Sequence, residues 1–104
     1  HFTCNTASKA LVFDNVDQTN ITGTFTLSGL AVGTKITLRS DVDTVQFEIN
    51  PTGTRSVQFV DVKDSNNVAL PVIAPPNSTD SGNNVNWFNT FDAKKAAQFM
   101  EFFP

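Results

Sequence analysis

Among the residues able to do chemistry, the single tryptophan is the most telling. Trp87 lies in the run Gly82-Asn83-Asn84-Val85-Asn86-Trp87-Phe88-Asn89, and the other aromatics are 10 phenylalanines with no tyrosine. Phenylalanine fills a core without asking for a polar partner, whereas a buried indole N–H needs one. A flat aromatic face set among amides suits a sugar, whose C–H face stacks on the ring while its hydroxyls bond the amides. On an extended strand Trp87 and Asn89 point the same way. The pattern therefore predicts Trp87 as a stacking platform. Asn89, Asn86, Asn84, Asp80 and Asn77 would be hydroxyl partners drawn from that strand and the loop before it. The competing reading places Trp87 at the end of a core, with the asparagines making turns.

Other chemistries are short of parts. His1 is the only histidine, so a Ser-His-Asp arrangement would need the first residue at its centre. His1 and Cys4 offer a soft metal two ligands where structural zinc takes four. Asp14 with Asp17 and Asp41 with Asp43 are carboxylate pairs of the type that works on glycosides, but they sit in polar turns, the setting of solvated turn residues. No glycine-rich phosphate loop is present. Asp80, Asn83, Asn84 and Asp92 are hard oxygen donors for calcium at a spacing that fits no calcium loop. The expectation is a protein that is not an enzyme and carries no cofactor.

Short strands must position these residues. Apolar and polar residues alternate in Thr24–Leu27, Lys35–Arg39, Val45–Ile49 and Val57–Val62, the period of a half-buried strand. Turn residues separate them at Ser28-Gly29, Val32-Gly33, Asn50-Pro51-Thr52-Gly53 and Asp64-Ser65-Asn66-Asn67. Adding Lys9–Phe13, Val68–Ala74, Asn84–Asn89 and Ala97–Phe103 gives about eight strands. Short links favour up-and-down neighbours, and one-sided alternation fits two packed sheets. The predicted fold is an all-β, two-sheet antiparallel sandwich, one domain over residues 1–104. Asp92–Gln98 has helix formers behind an N-cap candidate, enough for a turn or two. Ala74–Asn83, with Pro75-Pro76 and no periodicity, reads as one long loop leading into the Trp87 run.

With a net charge of −3 and scattered lysines and arginines, nucleic acid is a poor partner. No apolar run reaches the ~18–20 residues of a membrane span. The start at His1 and the sequons Asn20-Ile21-Thr22 and Asn77-Ser78-Thr79 are compatible with secretion.

The order Gly29-Leu30-x-x-Gly33-Thr34-x-Ile36-Thr37-Leu38, then Val45-x-Phe47-x-Ile49-Asn50, resembles the early strands of galectins. Lys63–Leu70 is similar to the galectin segment entering the first carbohydrate-reading strand, and Val85–Asn89 falls where galectins carry an asparagine that touches galactose. The resemblance spans residues 28–91 and carries over Asn89 alone. Galectins read galactose through His-x-Asn-Pro-Arg, where this chain has Pro71-Val72-Ile73-Ala74-Pro75, and their Trp-Gly-x-Glu-x-Arg strand has no counterpart. In length, asparagine content and strand order the chain also resembles the small secreted hemagglutinins of the slime mould Physarum. That resemblance implies a lectin for glycans on glycoproteins, of the complex or galactose-containing N-linked kind, acting outside the cell and agglutinating as a homo-oligomer. The alternative from a different class is a structural or adhesive secreted sandwich without a sugar site. Phe99–Phe103 would then be an edge strand that pairs with another chain.

Overall fold

The computed structural model describes residues 1–88. The chain winds as a three-sided coil. The first turn contributes β1 (Phe2–Cys4), β2 (Ala10–Phe13) and β3 (Thr19–Ile21), and the second β4 (Phe25–Ser28), β5 (Ile36–Ser40) and β6 (Phe47–Pro51). The third contributes β7 (Arg55–Gln58), β8 (Val60–Val62) and β9 (Ser65–Asn67), and a partial fourth adds β10 (Thr79–Asp80). Strands stack by side into sheets β1-β4-β7, β2-β5-β8-β10 and β3-β6-β9, and Val85 extends the last by a bridge to Asn66. Among the described residues every strand pairing is parallel.

This overturns the two-sheet antiparallel sandwich. Alternation says that one face of a strand is buried. It does not say which strand lies alongside or in which direction that strand runs. A coil and a sandwich bury one face of each sheet equally well. The short links that suggested hairpins are the corners between sides. The hydrogen-bonded partner lies one turn away: Phe47 opposite Ser65, 18 residues on, and Phe25 opposite Arg55, 30 residues on. Corners of such different lengths also hide the repeat from any search at a fixed period.

The inward positions form columns along the coil. Phe25 and Leu27, Ile36 and Leu38, Phe47 and Ile49, and Val60 and Val62 are fully buried, with Phe13, Ile21 and Val57 nearly so. Each such side chain contributes about 1.5–3 kcal/mol on burial. Phe13 stacks on Phe47 with ring centroids 4.6 Å apart, and Phe2 meets Phe25 edge-on at 5.9 Å. Corners of successive turns approach closely at two glycines. A Cβ on Gly29 would collide with the Thr34 and Phe59 carbonyl oxygens, and one on Gly53 with those of Thr22 and Gly23.

Several element boundaries also differ from the sequence reading. Val57–Val62 is two strands, because Phe59 adopts φ 52° and turns the corner from β7 into β8. Asp64–Asn67 is not simply a turn, since Ser65–Asn67 is β9 and its inward residues Ser65 and Asn67 are buried polar groups. Val68–Ala74 is not a strand, and the long loop that follows contains β10. Asn84–Asn86 is not extended, as Asn86 takes φ 57° and only Val85 is bridged. The Asp92–Gln98 and Ala97–Phe103 expectations lie outside the described residues.

Candidate functional site

Trp87 is fully buried. Its ring meets Phe25 edge-on at 6.4 Å, and its indole N–H donates to Ser65 Oγ at 2.6 Å. The coil supplies the polar partner that a buried indole needs by placing a serine at an inward position of β9. No face of the ring is open to stack on a ligand, so the arrangement is that of a core residue closing the third turn.

The asparagines around it serve the backbone. Asn84 donates to the Val62 carbonyl at 2.7 Å and to Asp80 Oδ1 at 2.7 Å, and its Oδ1 accepts the Ser65 N–H at 3.0 Å. Asp80 Oδ1 also accepts the Gly82 N–H at 2.9 Å. Asn86 donates to the Asn67 carbonyl at 3.3 Å, and its own carbonyl accepts from Asn67 Nδ2 at 3.0 Å. Asn67 Oδ1 in turn holds the Ala69 N–H at 3.0 Å. Asn77 is exposed at a tight bend with φ 54°. The structure thus joins Asp80, Asn84 and Asn86 to the frame that seats Trp87 and leaves Asn77 apart. Asn89 lies outside the described residues.

A second polar node was not legible beforehand. Asp64 is 2 % exposed, sits at φ 58° and joins β8 to β9 at a corner. One carboxylate oxygen accepts from Asn83 Nδ2 at 2.8 Å and the other from the Thr44 N–H at 2.9 Å, with Lys63 Nζ 3.5 Å away. Burial pushes the Asp64 carboxyl up, but the Asn83 amide, the Thr44 N–H and the Lys63 ammonium together outweigh it, leaving the group below its ordinary range. Lys63 is held above its usual value, chiefly by its hydrogen bond to Asp43. Of the calcium donors considered, Asn83 gives its amide to Asp64 and to the Thr44 carbonyl, Asp80 is tied to Gly82 and Asn84, and Asp92 lies outside the described residues. Among the described residues no three acidic, histidine or cysteine side chains converge as a metal site.

Two surfaces remain. Arg55 faces inward above Phe25 and spreads its guanidinium over the carbonyls of Pro51, Ala69 and Pro71, clamping the loop that leaves the third turn. Beside it a cleft of about 320 Å³ runs between β7 and residues Ile73 and Pro76. On the outer face of β3 and β6, Asn20 Oδ1 accepts from Gln18 at 2.7 Å and from Asn50 at 3.0 Å, and Glu48 and Asn66 stand in register beside them. Comparison with protein families, with characterised proteins and with solved structures gave no match for this chain. No helix among the described residues is long and apolar enough to cross a membrane.

Proposed function

We propose that this chain is a secreted structural or adhesive module, a stiff coil that presents polar sheet faces. The observation that carries the reading is the use made of the residues with chemical potential. Trp87, Ser65, Asn67, Asp64, Asn83 and Asn84 bond to one another or to the backbone at corners, where they fix the path of the third and fourth turns. Polar groups spent in this way rigidify a frame. Beads coated with the protein test the reading by retention on cell surfaces in the presence and absence of excess free sugars. Retention that sugars do not reduce supports it; retention abolished by a sugar overturns it.

Glycan binding is the second reading, favoured by the amide-bearing outer face of β3 and β6 rather than by the Trp87 run. Asn20, Asn50 and Asn66 lie on the adjacent strands β3, β6 and β9, about 4.8 Å apart, with Gln18 just before β3. They offer an extended saccharide a row of donors and acceptors. Glycan-array signal lost in a folded Asn50→Ala protein supports this reading, and signal unchanged in that variant removes it.

A further inference from the structure

The outer face of the β3-β6-β9 sheet carries more hydrogen-bond acceptors than donors. β6 is its middle strand, flanked by β3 and β9. Glu48 points outward from β6 and is exposed, between the fully buried Phe47 and Ile49. Asn66 stands beside it on β9, and because Thr19 pairs with Ile49, Gln18 comes alongside on the other flank. Asn20 and Asn50 make the next row of the same face. Gln18 and Asn50 both turn their NH2 groups onto Asn20 Oδ1, at 2.7 and 3.0 Å. Among the described residues, their own side-chain oxygens and both oxygens of Glu48 accept no hydrogen bond.

The other charges of the described residues are largely committed. Asp14, Asp41, Asp43, Asp61, Asp64 and Asp80 each accept from a lysine, an arginine or an N–H, whereas Glu48 and the corner residue Asp17 do not. No lysine or arginine stands on β3, β6 or β9. A carboxylate flanked by bare amide oxygens calls for a group that only donates. An ammonium is such a group, with three N–H donors and no acceptor. A lysine side chain would lose rotamer freedom to hold an ammonium there. A sugar ring carries its amine and hydroxyls in one rigid frame, and so reaches the carboxylate and the amides together.

We propose that this face recognises amino sugars, with the protonated amine of a hexosamine on Glu48 and its hydroxyls on Gln18, Asn50 and Asn66. The inference rests on the glycan reading of the same face and adds the class of sugar. The ion pair is exposed, so binding weakens as salt rises.

The test is a titration of isotope-labelled protein, read from its backbone and side-chain amide shifts, in weakly acidic buffer where the sugar amine is protonated. The probes are the trimer of glucosamine, its N-acetylated counterpart and the matching trimer of glucose, with tetralysine as a cation that is not a sugar. The glucosamine trimer is expected to bind most tightly, to move the side-chain amides of Gln18, Asn50 and Asn66, and to weaken with salt. Glu48→Gln should weaken it about fivefold, the upper range for an exposed ion pair. Asp43→Asn, which removes the same charge at the corner before β6, should leave it unchanged. Equal binding of the three trimers through these amides leaves the glycan reading standing and overturns the amino-sugar inference. No binding of any trimer removes both. Tetralysine that moves the same amides as strongly, or a folded Glu48→Gln protein that binds like the wild type, also overturns the proposal.

Discussion

Substituting Ser65 by alanine removes one oxygen atom and leaves the Trp87 indole N–H buried without its partner. Both side chains are fully buried and the bond is 2.6 Å long, so bulk solvent does not reach the freed N–H. A buried donor left unpaired costs about 1–3 kcal/mol, and full burial of both partners places Ser65→Ala near the middle, about 2 kcal/mol. That is a change of up to about 30-fold in the ratio of folded to unfolded chains. Trp87→Phe fills most of the same space and needs no acceptor, so it should cost less than a truncation to alanine, about 3–5 kcal/mol. In the double variant the loss should fall short of the sum by about 0.5–3 kcal/mol, the coupling expected of two groups in contact. Urea unfolding followed by fluorescence is the assay, and with one tryptophan and no tyrosine the signal reports this site alone. The native emission should resist quenching by iodide and become quenchable on unfolding. A Ser65→Ala change within a few tenths of a kcal/mol, or a native tryptophan freely quenched by iodide, would refute the account of Trp87 as a core residue.

Two further outcomes follow from the corners. Asp64 has its folded pKa below the ordinary value of 3.8, so its contribution is present above about pH 4 and is lost as pH falls through the folded pKa. Urea midpoints measured from pH 6 down to pH 2 should fall at the acid end, and Asp64→Asn should flatten that fall while lowering the midpoint near neutrality. Gly53→Ala drives a methyl group into the carbonyls of Thr22 and Gly23. It should cost about 1–3 kcal/mol, read from the same urea curves, whereas Gly33→Ala meets nothing and should be close to neutral.

β2 and β4 to β6 were legible in the sequence, β1 and β3 were not expected from it, and the arrangement of the strands was not legible. Alternation in Lys35–Arg39 and Val45–Ile49 located β5 and β6 to within two residues, because burying one face of a strand leaves a period of two. Parallel pairing left no local mark, since Phe25 and Arg55 meet across a whole turn of chain. β9 was hidden for another reason: Ser65-Asn66-Asn67 has turn composition, yet its serine and asparagine point inward to hold Trp87 and the next corner. The Trp87 run singled out the right residue and half of the physics. An indole among amides does seek a hydrogen bond, and here it found one inside the protein. Asp64 offered only a turn-like context, and its burial depends on Thr44 and Asn83, which lie 20 and 19 residues away.

The distance between paired strands has a consequence for how such a chain reaches its native state. Every partner is 18 to 30 residues away, from Asp61 with Thr79 to Thr19 with Ile49, and no hairpin exists among the described strands to start the process locally. The first pair of turns must close a loop of that size before any ladder repays the lost entropy. Each later turn then adds to an edge that is already ordered. Folding becomes a nucleation problem followed by inexpensive growth, in which the slow event is the meeting of two turns and the latecomer, Trp87, enters a site already shaped to receive it.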